Sequence, residues 1–137
     1  MHFTLLDKVL ETSPQKTVTL KHVSNAEEYL QDHFPTFPVL PGVMMLECMV
    51  QAARHHLEIH DTAMDKPWVL GRVRALKYGK FVKPGSSLKI EIEPATSKDP
   101  SMRDFKAEVL LIEPGAAEGE LPVAASGRIS MRVAKLS

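Results

Sequence analysis

The sequence predicts an α+β domain in which a curved antiparallel sheet of about five or six strands wraps around one long buried helix. Apolar and charged residues alternate strictly along Leu88–Glu93, as a strand with one wet face requires. Weaker alternation marks Thr17–Leu20, Phe105–Ile112 and Arg128–Val133. Proline- and glycine-containing turns separate these runs, as expected for successive antiparallel strands. Because no linker or internal repeat interrupts the pattern, residues 1–137 are expected to form one domain.

The predicted central helix runs from Pro41 to about Glu58, with proline at a favourable first position. Its apolar residues point in nearly every direction around the axis, which predicts that the helix is buried on all sides. A shorter polar helix is expected over Asn25–Gln31. The sheet would expose edge strands, and pairing those edges between two chains predicts a homodimer.

Composition narrows the function classes. Seventeen basic residues balance seventeen acidic ones, so overall charge does not favour binding to nucleic acid. The single cysteine, Cys48, excludes an intrachain disulfide. We see no signal peptide and no stretch apolar enough to span a membrane, so we expect a soluble cytoplasmic protein without membrane contact.

The segment that carries chemistry begins at His33 and ends at Glu47. Three prolines, at 35, 38 and 41, hold an irregular loop stiff between His33 and the start of the central helix. A histidine in a loop is ordinarily no more than a polar side chain. A loop held so rigidly nevertheless suits a residue that must be placed accurately.

Glu47 lies in the middle of the apolar helix. A carboxylate there is costly unless it is paired, protonated or used in chemistry. One interpretation is a core carboxylate satisfied by Gln51 one turn later, and the other is a catalytic acid. At the helix start, the amides of Gly42 and Val43 are suited to polarise a carbonyl oxygen, although water or a capping side chain can also satisfy them.

Read together, these residues resemble a known signature. The run His33-Phe34-Pro35, Pro38-Val39, Pro41-Gly42-Val43, Glu47 and Gln51 is similar, without gaps, to that of the 3-hydroxyacyl-[acyl-carrier-protein] dehydratases of bacterial fatty acid synthesis. Tyr78–Gly85 resembles the family's aromatic and basic strand. Thr36, Cys48, Arg74 and Phe81 depart from the family pattern, which puts substrate range in doubt more than reaction class.

The resemblance implies the hot-dog fold and a specific mechanism. His33 would be the base at C2 of the acyl thioester, and Glu47 would protonate the departing C3 hydroxyl. The two residues of one site would come from different subunits of a homodimer, with further assembly into a trimer of dimers left open. No metal or organic cofactor is implied. The residues expected to contact substrate are Gly42, Val43, Phe37, Met44, Tyr78 and Phe81.

Positive charge gathers in one segment of the neutral chain. Between Lys66 and Ile90 there are seven basic residues and no acidic one. Acyl carrier proteins are acidic, so this segment is a candidate docking surface, although a solvated strand face is the plainer interpretation. The residues predicted to bind the carrier are Arg72, Arg74, Lys77, Lys80 and Lys83.

Three alternatives stay open at this point: a dehydratase of a specialised lipid or polyketide pathway, a hot-dog thioesterase, and a non-catalytic acyl-binding subunit. The sequence does not decide acyl chain length, isomerase activity, or whether the carrier protein or coenzyme A is the physiological thiol.

Overall fold

A computed structural model describes residues 5–24, 42–61, 67–115, 119 and 121–134. One helix and six strands fall within these ranges, and the helix is α1, Gly42–His60. The strands are β1, Lys8–Ser13; β2, Lys16–His22; β3, Trp68–Tyr78; β4, Ser87–Ala95; β5, Met102–Ile112; and β6, Val123–Val133.

The strands form one antiparallel sheet in the order β1-β2-β4-β5-β6-β3. Alternation along β4 buries Leu88, Ile90 and Ile92 on one face, while the residues between them are partly exposed. Helix α1 contacts β2, β3, β4, β5 and β6, and therefore lies across the concave side of the sheet. The predicted α+β class, with a sheet curved around one long helix, is confirmed.

The core is built from α1 and the inner face of the sheet. The buried residues of α1 include Met44, Met45, Cys48 and Met49, which pack with the apolar residues of the strands. The prediction that the helix is buried on all sides is wrong for this single chain. Val43 is 58% exposed and Ile59 is 45% exposed, because one side of the helix is left uncovered near each end.

Strand β2 buries polar as well as apolar residues. Thr17 and Thr19 stand opposite Ile92 and Ile90 of β4, so the threonines share the inner face of the sheet. Both threonines are fully buried, although the Thr19 hydroxyl has no partner in the part of the chain described. Val18, between the two threonines, is also buried, so this part of β2 is covered on both faces.

Strand β3 was absent from the predicted strands. Its pairing with β6 shifts register between Leu70 and Arg72 and again between Arg74 and Lys77. Within the second irregularity, Ala75 adopts a positive φ of 52°. Each bulge adds a residue and breaks the two-residue period, so a search for alternation misses the strand.

Two further predictions concern residues 78–85 and residues 25–31. The resemblance placed a strand over Tyr78–Gly85, but β3 ends at Tyr78 and residues 79–83 carry no strand pairing. The chain turns at Pro84 and Gly85, where the glycine has a φ of 95°. The short helix predicted over Asn25–Gln31 lies outside the described residues.

Candidate active site

Glu47 lies in the second turn of α1 and is partly exposed in the single chain. The Gln51 side chain, one turn further on, donates from Nε2 to Glu47 Oε1 at 3.3 Å. The backbone N–H of Leu5 in turn donates to Gln51 Oε1 at 2.8 Å. The hydrogen bond to Gln51, which was one of the two interpretations of Glu47, is present, and the role of Glu47 as an acid stays a prediction. The Leu5 contact joins residues 46 positions apart, so no local pattern in the sequence could indicate it.

The start of α1 lies beneath an aromatic ring. A β-carbon at Gly42 would meet Cζ of Tyr78 at 2.9 Å, so the absent side chain is what allows the ring to approach. The predicted substrate residues Gly42 and Tyr78 are therefore brought together. Val43 follows on the exposed side of the helix, whereas Met44 is buried in the core with 2% exposure.

Apolar side chains remain exposed around the same end of the helix. Tyr78 is 51% exposed and Phe81, three residues further along the chain, is 76% exposed. The intervening Gly79 donates its N–H to the carbonyl of Ala124, at 2.8 Å, which fixes this segment against β6. Open apolar surface of this kind suits a substrate or a second protein chain.

The other half of the predicted pair, His33, lies outside the described residues, as does Phe37 of the predicted substrate site. Their positions relative to Glu47 and Tyr78 therefore remain predictions. Of the predicted site, the structure describes the partly exposed Glu47 and the start of α1, five residues before it.

Basic residues form a ladder on the outer face of the sheet. Arg74 stands opposite Arg128 of β6, and Arg128 stands opposite Lys106 of β5. Arg72 and Lys77 lie on the same strand as Arg74, and all these side chains are exposed. Like charges directly opposite one another are unfavourable in a sheet. Asp104, 4.0 Å from Arg74, and Glu108, 4.0 Å from Lys106, offset only part of this repulsion.

The sequence identified only part of this surface. Arg72, Arg74 and Lys77 lie on β3, and Lys80 and Lys83 lie in the exposed segment after it. Arg128 and Lys106 were missed because both lie outside the basic segment of residues 66–90, and only strand pairing joins them to Arg74. Beside them is a hollow of about 210 Å³, lined by Ala75, Lys77, Lys106, Ala107, Glu108, Ser126, Gly127 and Arg128.

A second polar cluster lies at the far end of α1. The buried His56 shares a hydrogen bond between Nδ1 and the Thr17 hydroxyl at 2.7 Å. The Thr17 hydroxyl is hydrogen-bonded to the Thr12 hydroxyl at 2.9 Å, and the Thr12 hydroxyl is hydrogen-bonded to His60 Nε2 at 2.7 Å. Burial lowers the pKa of His56 below its ordinary value, and the neighbouring His60 lowers it further.

Neither a metal site nor a membrane span emerges from the described ranges. No three His, Cys, Asp or Glu side chains within them are grouped so that they could hold a metal ion. No helix among these residues is both long and apolar enough to cross a bilayer.

Comparison with known proteins identifies the family. The family model of ApeI-like proteins, described as ApeI dehydratase, matches residues 10–111. A 3-hydroxyacyl-[acyl-carrier-protein] dehydratase FabZ of Ruminiclostridium cellulolyticum is 38% identical over 125 residues, which cover 89% of this chain and 86% of the relative. The FabZ of Clostridium kluyveri is 35% identical over 120 residues, covering 87% and 83%. The chain belongs to the FabZ-like dehydratase family.

Solved structures agree on the fold of this FabZ-like dehydratase. The dehydratase heterocomplex ApeI:P of Xenorhabdus doucetiae matches with a TM-score of 0.62 at 15% identity, over 95% of this chain and 98% of that one. A hypothetical thioesterase with coenzyme A from Streptococcus pneumoniae matches with a TM-score of 0.68 at 12% identity, over 93% and 84%. At such low identity these matches support the shared hot-dog fold alone.

Proposed function

We propose that this FabZ-like dehydratase removes water from 3-hydroxyacyl thioesters of an acyl carrier protein, giving trans-2-enoyl thioesters in fatty acid biosynthesis. The observation that carries the proposal is the Glu47 carboxyl. It is partly exposed in the largely apolar first half of α1 and hydrogen-bonded to Gln51, in a chain 38% identical to a protein named for this reaction.

The proposed chemistry is an elimination. The imidazole of His33 takes the C2 proton, which the thioester carbonyl makes more acidic. The C3–O bond breaks, the departing oxygen takes the proton of Glu47, and a double bond forms between C2 and C3 as water leaves. The amide of Gly42 or Val43 stabilises the charge that builds on the carbonyl oxygen, helped by the positive end of the helix dipole.

We infer that the working form is a homodimer in which His33 of one subunit meets Glu47 of the other. Two observations support this arrangement. Strand β3 lies at one edge of the sheet, where a second strand can pair with it. Val43, Tyr78 and Phe81 also expose apolar surface near the start of α1, which a second subunit would cover. Further assembly into a trimer of dimers stays open.

The carrier is proposed to dock on the basic ladder of Arg74, Arg128 and Lys106. An acidic partner would relieve the repulsion between these paired cations and be steered toward Tyr78, beside Lys77. Arg128→Glu should raise KM for an acyl-carrier substrate about tenfold at low salt. It should not change KM for a neutral N-acetylcysteamine thioester.

Lys98→Glu serves as the charge-matched control, because Lys98 is an exposed cation in the turn between β4 and β5. The docking proposal fails if KM for the carrier substrate is insensitive to salt, or if both variants raise it equally.

A dehydratase of a specialised lipid or polyketide pathway is the second candidate function. It is favoured by the match to the ApeI-like family model, since ApeI and FabZ are differently named dehydratases and the chain is similar to both. Turnover of straight-chain 3-hydroxyacyl carriers supports fatty acid synthesis. Turnover confined to conjugated or otherwise modified chains supports the specialised pathway.

The test of the reaction is hydration of a crotonyl thioester, measured as loss of enoyl absorbance. His33→Ala and Glu47→Gln should each abolish it while leaving the thermal unfolding temperature close to that of the parent. Glu58→Gln is the matched control, because Glu58 is an exposed glutamate on the same helix. Full activity of Glu47→Gln removes the carboxyl from the mechanism. Release of free thiol by the parent indicates a thioesterase, and binding without turnover indicates a non-catalytic subunit.

A further inference from the structure

We propose that a hollow at the C-terminal end of α1 is a second ligand site, for a small neutral molecule that joins an apolar body to one hydroxyl group. His56 is the residue that binds this hydroxyl. It follows Glu47 by nine residues, roughly 13.5 Å along the helix. The hollow is therefore separate from the Glu47 site, and the inference does not depend on the proposed function.

The hollow lies where four parts of the fold meet: the turn between β1 and β2, the last turns of α1, the end of β4 and the start of β5. Its volume is about 190 Å³, below the roughly 300–1,000 Å³ of pockets that hold drug-sized ligands. It therefore suits a molecule of about one ring. The apolar part of its wall is formed by Pro14, Leu57, Pro94, Ala95 and Phe105.

His56 brings a buried ring to this wall. The residue is 3% exposed, and its ring packs edge to face with Phe105, 5.6 Å between centroids. Nδ1 is hydrogen-bonded to the Thr17 hydroxyl at 2.7 Å. Within the described ranges no residue bonds to Nε2. The one enclosed side-chain atom left unpaired there is Thr19 Oγ1, so Nε2 is not closed off. Nε2 is therefore the ring nitrogen that a ligand can reach from the hollow.

The charged residues around the hollow already have partners. Arg103 Nε donates to Asp61 Oδ2 at 2.6 Å. Asp104 accepts from the Ser130 hydroxyl and lies 4.0 Å from Arg74. An ionic ligand would lose its hydration without meeting an unpaired charge of opposite sign, which is unfavourable. The rim therefore favours a neutral ligand.

The hydrogen-bonded chain behind His56 lets Nε2 either donate or accept. The chain runs from His56 Nδ1 through the Thr17 and Thr12 hydroxyls to His60 Nε2. Burial, and then His60, keeps the pKa of His56 low, so the ring is uncharged at pH 7 and has one N–H. Each hydroxyl supplies one hydrogen, so the three bonds can point in either direction. In one direction Nδ1 donates and Nε2 is an acceptor, and in the other Nε2 carries the hydrogen. A ligand hydroxyl fits both states, because it can accept and donate.

Three probes that share a ring test the chemistry: benzyl alcohol, toluene and benzoate. Benzyl alcohol should bind the parent with a Kd on the order of 1 mM. Toluene should bind about tenfold more weakly, because it cannot bond to Nε2. Benzoate should not bind detectably, because its charge has no partner. Each titration is followed through the ring nitrogen signals of protein labelled with ¹⁵N-histidine, in which benzyl alcohol should shift Nε2 of His56.

Two variants locate the site. His56→Phe keeps an aromatic ring and removes both nitrogens, so it should weaken benzyl alcohol about tenfold and change the toluene affinity by less than about twofold. Because this variant also loses the bond to Thr17, the second one leaves His56 intact. Ala95→Phe fills the hollow and should abolish binding of both neutral probes. Thr96→Phe is the matched control, since the next residue is exposed and outside the hollow, and it should bind as the parent does.

Equal affinity of the parent for benzyl alcohol and toluene overturns the inference, as does benzyl alcohol binding that is unchanged in Ala95→Phe. These two results decide the matter even if His56→Phe does not fold. Crotonyl thioester hydration keeps the proposed function distinguishable, since Ala95→Phe should hydrate the thioester at the parent's rate while losing the probe. An equal loss of hydration and probe binding in folded Ala95→Phe would contradict a separate site.

Discussion

The ring of Tyr78, the last residue of β3, packs against Gly42, the first residue of α1. The contact joins the amide end of the helix to the segment that leads toward the exposed Phe81. Its tightness is measurable, since an added β-carbon would stand 2.9 Å from Cζ of the ring.

Gly42→Ala is expected to displace the Tyr78 ring rather than to unfold the protein. The clashing atoms belong to a side chain that is half exposed and able to turn away, so the loss of stability should stay below about 1.5 kcal/mol. Hydration of crotonyl thioester should show a higher KM. Urea denaturation and steady-state kinetics measure the two effects.

The double variant Gly42→Ala with Tyr78→Ala provides the control. Removing the ring makes room for the new methyl group, so the two substitutions should be non-additive in stability. Additive losses would mean that the methyl group meets something other than Tyr78.

Stability should depend on pH through His56. Its pKa is lowered in the folded protein, chiefly by burial and then by His60, with His55 acting in the same direction and Asp61 opposing. In the unfolded chain the group titrates near its ordinary value of 6.5. Below about pH 6.5 the unfolded state therefore binds more protons than the folded state. The contribution of His56 to stability is complete above that pH and is lost progressively as the pH falls.

Urea denaturation at pH 7.5 and pH 5.5 measures this effect. The parent should lose stability between the two, and His56→Gln should lose less. His55→Gln, outside the hydrogen-bonded chain of His56, Thr17, Thr12 and His60, should decline nearly as the parent does, because His55 is the smallest cause that lowers the His56 pKa. An identical decline in the parent and in His56→Gln would assign the pH dependence to other groups.

Gly79→Ala is expected to be strongly destabilising. A β-carbon there would lie 2.6 Å from the carbonyl oxygen of Val123, and a paired backbone cannot give way as a side chain can. We expect a loss of about 1–3 kcal/mol in unfolding free energy, measured by urea denaturation. At Gly71 the closest atom, at 2.9 Å, is the terminal methyl of the flexible Met102 side chain, so Gly71→Ala should lose less. Equal losses at the two positions would contradict this distinction.

Much of the fold was predictable because its strongest signals are local. One face of β4 packs in the core and the other is partly exposed, so Leu88, Ile90 and Ile92 alternate with charged residues. The Glu47–Gln51 pair was predictable because residues four apart on a helix are neighbours.

What could not be predicted depends on contacts distant in sequence. Strand β3 was not predicted because two bulges interrupt the two-residue alternation along it. The bulges are visible only in its pairing with β6. The burial of Thr17 could not be predicted because its hydrogen-bond partner, His56, lies 39 positions away. Arg128 and Lys106 joined the basic surface only through strand register. The placement of His33 rests on the family resemblance, and it stays a prediction.

Three directed hydrogen bonds leave successive faces of α1. Gln51 binds the N–H of Leu5, Arg54 donates to the carbonyl of Trp68 at 3.0 Å, and His56 meets Thr17. The methionines beside them have flexible side chains that can adapt to a small rotation of the helix. The three hydrogen bonds do not tolerate such a rotation, so they hold the helix at one angle about its long axis. They therefore fix the direction in which the Glu47 carboxyl points, which apolar packing alone would not do.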